Sequence, residues 1–336
     1  MISAGCTCIK MSRTVRFRYF FIILSSLLIH LITLAGYAHA NPGDEWIYGA
    51  DSPVTDTHPA GQSQPDISGN IAVWSDGRPG GGAGNPARIF FKDLNNNDAE
   101  VPLVIEPGNG QSTDSQKAPA ISGNLVVWLQ GYPSQIHYMF LGEGCPGMAG
   151  CERTLSISGA SPVRLAVSGH RIVWEDQRAG FWQADIYMYD LDNPSLGAQP
   201  VSTASSTQTQ PAIDGDWVVW VDNRGGTYVN GNPTRNDIYA RNVVTGEERP
   251  LTTDHQSALE QSPRISGNRV VWNINSGFNA TTGGIVLYDL SSGQTRTIFD
   301  DRGIDCEPDI EGDKIVWAHR HDGASGYEVR LHFSLA

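Results

Sequence analysis

The sequence predicts an all-β fold, a six-bladed β-propeller of four-stranded antiparallel blades. Three observations carry that expectation. A ten-residue pattern, Pro-x-Ile-Ser-Gly-x-x-Val-Val-Trp, recurs six times with small variations, ending at Trp74, Trp128, Trp174, Trp220, Trp272 and Trp317. The Trp-to-Trp intervals are 54, 46, 46, 52 and 45 residues, the length of a four-stranded blade. The pieces before the first Trp and after the last add up to one more interval of the same size, so one unit is split between the two ends of residues 41–336.

Each unit reads as four short strands. The first runs through Pro-x-Ile and ends in a tight turn. Its glycine (Gly69, Gly123, Gly169, Gly215, Gly267, Gly312) stands five residues before the Trp in every copy. Glycine at that place supplies the positive φ that a two-residue hairpin demands. The Val-Val-Trp run forms the second strand, and valine always precedes the Trp. Both faces of this strand are apolar, which suits a sheet sandwiched between two others. The third strand is of the Ile-Tyr-x-Tyr-Asp-Leu type, as in 186–191, 238–242 and 286–290, and Thr-Gly or Ser-Gly turns lead to a fourth such as 250–252. The third copy departs from the pattern, with Leu165 where the others have proline.

A linear stack of such sheets would leave two apolar ends, whereas a ring leaves none. Residues 53–58, Pro-Val-Thr-Asp-Thr-His, resemble 250–255, Pro-Leu-Thr-Thr-Asp-His, a fourth strand and its exit. The last unit stops at its third strand, 329–333. Residues 45–55 are therefore expected to supply its outer strand and to close the ring, covering an edge that would otherwise be exposed.

Residues 1–40 stand outside the repeats. Lys10, Arg13, Arg16 and Arg18 precede an apolar run from Tyr19 to Leu34, and Ala38-His39-Ala40 follows. A basic head, a short apolar run and an A-x-A end form a signal-peptide pattern, cleaved after Ala40. A retained anchor is the alternative, but 16 residues fall short of the roughly 20 that a span needs. The expected product is a soluble periplasmic or extracellular chain, a monomer, with one domain over 41–336. It carries 19 Lys+Arg against 36 Asp+Glu, a net charge of −17. Such a charge repels nucleic acid and anionic membrane surfaces. Cys145 and Cys151 bracket a short Pro/Gly-rich loop and are expected to pair in an oxidising compartment; Cys306 is left over.

The repeat resembles the TolB-type propeller repeat, and more nearly the related propeller repeats of bacterial and archaeal surface proteins. The shared elements are the glycine turn before the apolar-aromatic strand, the Asp-x-Arg after it and the Ile-Tyr-x-Tyr-Asp-Leu strand. The resemblance covers essentially all of residues 41–336 and implies the propeller fold. TolB itself has an additional N-terminal domain for which this sequence shows no counterpart. Its Ser-Pro-Asp-Gly is Ile-Ser-Gly-Asn here. Propellers of this kind serve as scaffolds, receptors and enzyme domains, so the fold does not fix the function.

With this strand order, the loops after the second and fourth strands share one face, and the short Gly turns share the other. Variable loops on a rigid frame are where function is expected. Asp76-x-Arg78, Asp176-x-Arg178 and Asp222-x-Arg224 follow the second strand of three units. They could ring the channel mouth and hold a polar ligand, or they could serve the repeat itself by accepting loop amides and pairing with carboxylates. Tyr132, Trp182 beside Phe181, Tyr228 and Phe278 break the repeat and fall in the long loops, where aromatic rings suit sugar stacking or a protein partner. These residues make the first expectation a non-enzymatic module that binds a protein or glycan without a cofactor.

The alternative is a carbohydrate-active lyase or hydrolase. His319, His321 and Asp322 are expected in a loop of the last unit, and His58, in the loop entering the first, should adjoin them once the ring closes. Such a set could hold a divalent metal. Some pectin-degrading propeller lyases use a histidine-bound metal, although their motif is not evident in this sequence. The sequence contains no Gly-x-Ser-x-Gly elbow.

Overall fold

A computed structural model describes residues 62–77, 87–95, 100–103, 115–142, 151–226, 228–229, 232–252, 259–275, 283–299, 303–321 and 328–333. Among them, strands dominate. The only helical segments are two single 3-10 turns, Phe181–Gln183 and Pro194–Leu196. No helix among the described residues is long and apolar enough to cross a membrane.

Each repeat folds into its own antiparallel sheet. The first strands are Gln62–Ser68, Gln116–Ser122, Pro162–Ser168, Gln208–Asp214, Leu259–Ser266 and Gly303–Glu311. The second strands, Ile71–Asp76, Leu125–Gln130, Arg171–Asp176, Trp217–Asp222, Arg269–Asn275 and Lys314–His321, pair with them. Third strands follow at Arg88–Asp93, Gln135–Phe140, Asp185–Asp190, Asp237–Asn242, Gly283–Asp289 and Glu328–Phe333. Fourth strands at Val101–Pro102, Arg153–Leu155, Gln199–Ser202, Glu248–Pro250 and Thr295–Phe299 complete five four-stranded sheets. The last repeat contributes a three-stranded sheet among the described residues. Residues 45–55, expected to be its outer strand, lie outside them.

Consecutive sheets stack through their first strands, each packed against the next. The core lies between the sheets, and its composition explains the repeat. Val73 of the first unit clusters with Trp128 of the second, Val127 with Trp174, Val173 with Trp220, Val219 with Trp272, and Val271 with Trp317. Thus the valine of one unit always meets the indole of its successor. Trp128, Trp174, Trp220 and Trp272 are fully buried. Every interface therefore removes a Trp and several branched side chains from water, each worth about 1.5–3 kcal/mol. This is a propeller-type arrangement of sheets.

The six turn glycines have φ between 54° and 59°, as the hairpin requires. The serine before each glycine has a role beyond the turn. Ser68 Oγ accepts the Gly123 N–H of the next unit, Ser122 the Gly169 N–H, Ser168 the Gly215 N–H and Ser266 the Gly312 N–H, at 2.9–3.0 Å. Asp214, in the serine position of the fourth unit, accepts from Gly267 at 2.6 Å. Ser-Gly is thus an inter-sheet tie as well as a turn.

The proline of the pattern has a structural cause too. In five units the residue before it (Gln64, Ala118, Gln210, Ser262, Glu307) sits at φ 50–54°, and the pairing of first and second strands slips there. Proline bars the α region to its predecessor and removes a ladder donor, so the strand bulges. In the third unit Leu165 replaces proline, and Arg164, Leu165 and Ala166 pair regularly with Glu175, Trp174 and Val173. Its irregularity moves to the strand end, between Glu175 and Asp176.

Candidate functional site

The indole N–H of each core Trp needs an acceptor once it is buried. The residue two positions on supplies it in four units: Trp74 donates to Asp76 at 3.2 Å, Trp128 to Gln130 at 3.1 Å, Trp174 to Asp176 at 2.8 Å and Trp220 to Asp222 at 2.9 Å. Asp76, Asp176 and Asp222 are fully buried.

Asp176 also accepts the amides of Ser161 and Arg178 and the Arg178 guanidinium, which lies 2.6 Å away. Burial alone would raise its pKa, but the hydrogen bonds from Arg178, Trp174 and Ser161 hold it below the usual carboxylate range. The guanidinium then caps Tyr187 of the third strand at 4.1 Å from the ring centre. Arg224 repeats the arrangement, 2.7 Å from Asp222, 4.0 Å over Tyr239 and bonded to Glu248 at 3.0 Å. In both units Asp-x-Arg links the Trp, the following loop and the third-strand Tyr within one sheet. Arg78 lies outside the described residues.

The last two units break this rule in different ways. In the sixth, the position two after the Trp carries His319, and the acceptor has moved to the facing strand. Trp317 donates to Asp305 at 3.0 Å, and His319 Nδ1 lies 2.7 Å from the same oxygen. His319 and Asp305 pair across the sheet and are both fully buried. His319 thus lies buried on the strand Lys314–His321 and not in the loop where the sequence placed it. His58 and Asp322 lie outside the described residues, and so does the side chain of His321. No group of three or more metal-ligating side chains occurs among the described residues.

In the fifth unit the position holds Ile274, and among the described residues Trp272 Nε1 finds no hydrogen-bond partner; nor do the side-chain N and O of the adjacent, fully buried Asn273. Facing Ile274 is Glu260, which is buried close to Thr252, whose hydroxyl oxygen accepts the Ile238 amide at 2.8 Å. Burial, with nearby Asp237 adding to it, pushes its pKa up to about 7. Sequence reading passed over Glu260. Its only signal was an acidic residue where Gln62, Gln116 and Gln208 stand in other units.

The loop-face aromatics form a separate group. Tyr132, in the turn after the second strand of the second unit, is 100 % exposed. Phe181 and Trp182, in the corresponding loop of the third unit, are 63 % and 53 % exposed. Their rings meet edge to face, with centroids 4.8 Å apart. This loop is held firmly. Gly180, at φ 114°, donates to Gln177 O at 2.9 Å, and Gln183 N–H donates to Gly180 O at 3.0 Å. Thr207 Oγ1 of the next unit donates to Trp182 O at 2.7 Å. Beyond it, Asp222 to Asn236 carries a two-stranded ribbon, Tyr228–Val229 with Asn232–Pro233. A side chain on Gly226 at its base would lie 2.6 Å from Arg235 O, so only glycine fits. The Tyr228 side chain and Phe278 lie outside the described residues, as does Cys145, the expected partner of Cys151. Cys306 is buried.

No protein-family model matches the chain, and no curated protein does. Among solved structures, one of two prolyl endopeptidases studied for inter-domain dynamics is 14 % identical, with a TM-score of 0.58 over 82 % of this chain. The chain spans 41 % of that enzyme's length. An oligogalacturonate lyase in complex with manganese is 10 % identical over 74 % of this chain and 67 % of its own, TM-score 0.51. A putative TolB from Agrobacterium tumefaciens is 17 % identical over 72 % of this chain and 82 % of its own. Its TM-score of 0.47 is too loose a likeness to bear on fold or function. At these identities the first two likenesses concern the fold alone.

Proposed function

We propose that residues 41–336 form a closed six-bladed propeller, exported by a cleaved signal over residues 1–40, that binds a protein or glycan on its long-loop face without catalysing a reaction. The observation that carries the binding role is the exposure of Tyr132, Phe181 and Trp182 on the same-side loops of consecutive sheets. Among the described residues no other aromatic side chain is exposed; the rest are at least partly covered in the cores or stacked in the Trp–Tyr–Arg clamps. An indole held half in water by three backbone ties costs stability, and a partner that covers it removes that cost.

Two details support closure. Trp74 would face water at the end of an open stack, yet it is 2 % exposed. Asp66, on the first unit's inner strand, interacts electrostatically with Asp309 of the last unit and with Arg264 of the fifth. A mature chain truncated before residue 60 should lose protection of strand 328–333 in hydrogen exchange; unchanged protection would count against closure by the N-terminal strand. N-terminal sequencing of the exported protein tests cleavage after Ala40.

The binding reading is tested by pull-down with the mature chain. Trp182→Ala together with Tyr132→Ala should abolish capture of the partner, and undiminished capture would move the site elsewhere. For the histidine-centred enzyme, the burial of His319 against Asp305 weighs against an open metal site. Metal analysis of purified protein decides that alternative.

A further inference from the structure

The partner's chemistry is written in what surrounds the exposed rings. The chain as a whole is strongly acidic, with a net charge of −13 before any processing. The segments around the rings are not. Residues 131–134 read Gly-Tyr-Pro-Ser, and residues 203–207 read Thr-Ala-Ser-Ser-Thr. Within 177–184 the one charged side chain is Arg178, already held by Asp176 and stacked on Tyr187. The exposed uncharged polar side chains of the two segments are Gln183, next to Trp182 in the chain, and Thr203 and Ser205 on the segment that Thr207 ties to Trp182 O. The 203–207 segment is fixed against the Trp182 loop by the Thr207 bond, and Ser206 Oγ donates to Asn223 O at 3.2 Å at the root of the ribbon.

An aromatic face flanked by uncharged donors and acceptors matches the two surfaces of a sugar ring. Its axial C–H face stacks on the indole, and its hydroxyls exchange hydrogen bonds with amides and hydroxyls. A protein hot spot on so acidic a chain would be expected to recruit charge for steering, whereas the charged groups bordering this patch, Arg178 and Arg224, are already paired with Asp176 and Asp222. A polyuronate would be repelled by the surrounding field.

We propose that the Phe181–Trp182 step and the 203–207 loop form a subsite for an uncharged oligosaccharide. This rests on the binding role proposed above for the same face. The site is formed before the ligand arrives, because the loop's own hydrogen bonds set the indole's position, so binding needs little reordering.

The test is isothermal titration of the mature chain with cellohexaose, maltohexaose, chitohexaose and an oligogalacturonate, with tryptophan fluorescence as a second readout. At least one neutral oligosaccharide should bind and perturb the emission. Trp182→Ala should weaken that binding at least tenfold with an unchanged unfolding midpoint, and Trp182→Phe should retain part of it. Failure of all three neutral sugars, binding indifferent to Trp182→Ala, or preference for the uronate would each overturn the proposal. If no sugar binds but capture of a protein depends on Trp182, the sugar subsite falls and the binding face stands. If neither sugar nor protein binding responds to Trp182→Ala or Tyr132→Ala, both fall.

Discussion

Trp220 and Trp272 occupy the same place in adjacent units and differ most in the fate of the indole N–H. Their exposures are 0 % and 1 %, and each packs against a third-strand Tyr with centroids 6.1 and 6.4 Å apart. Trp→Phe should therefore remove similar volume and contact at both sites, and that part of the loss cancels in the comparison. At Trp220 the change also deletes a 2.9 Å hydrogen bond to the Asp222 carboxylate. A bond to a charged acceptor contributes about 1.5–3 kcal/mol. At Trp272 the change deletes a buried donor with no acceptor, whose desolvation costs about 1–3 kcal/mol. Both effects push the same way. Trp220→Phe should destabilise the protein by at least about 2.5 kcal/mol more than Trp272→Phe, the sum of the lower bounds. Urea unfolding of the mature chain at pH 7, with equal m-values for the two variants, measures the difference. Equal losses within about 0.5 kcal/mol, the usual scatter for such comparisons, would refute the clamp as an energetic unit.

Asp176→Ala strands the Trp174 indole, the Ser161 amide and the Arg178 guanidinium together, so a loss of about 3–5 kcal/mol is expected in the same assay, with Asp176→Asn losing less. Because its pKa is depressed, the stability this carboxylate provides is complete above the ordinary carboxylate range and disappears as the pH falls through the depressed value. Glu260 runs the other way. With its pKa at about 7 instead of 4.5, the folded state holds the proton more tightly, so stability falls as the pH rises from about 4.5 to about 7. Glu260→Gln should abolish that slope and stabilise the protein by roughly 3 kcal/mol at pH 8 and by little at pH 4. Gln116 already accepts the Ile89 amide in the equivalent place, so the amide fits. Ser168→Ala should cost about 0.5–1.5 kcal/mol and speed hydrogen exchange at the Gly215 amide, with a smaller effect at Gly267, whose acceptor Asp214 also takes the Ser168 hydroxyl.

Sequence made the sheets, their number of repeats and the two-sided core of the second strand readable, because a strand's apolar pattern is local and recurs. The placement of the third strands was read to within a few residues for the same reason. The fourth strand of the fourth unit was expected at 250–252 and pairs instead over Glu248–Pro250, since a short edge strand carries little pattern of its own. The role of Ser in Ser-Gly was not legible. Its partner is about 46–55 residues away, and the residue reads equally well as turn chemistry. Nor was the burial of His319. A His-x-His near a loop suggests a ligand set until Asp305, on the facing strand, is seen to hold the ring. The exposed rings were legible as candidates because they break the repeat; that they are rigidly held in water was not.

Departure from a repeat is therefore ambiguous until one asks whether a neighbour compensates for it. Leu165 loses the proline bulge, and the first strand answers by pairing regularly and moving its slip to the end. His319 displaces the indole's acceptor, and Asp305 supplies another from across the sheet. Both changes are absorbed within their unit, and neither calls for a ligand. Ile274 is different, for it leaves the Trp272 N–H and the Asn273 amide buried without partners, at a cost that the unit bears. Phe181 and Trp182 are different again. Their rings stay exposed on a loop that three hydrogen bonds hold, one of them from Thr207 of the next unit. A cost that stays inside the packing reports on stability. A cost displayed on the surface, and held there, can be offset by what binds, which is why the binding reading proposed above is placed on the loop face.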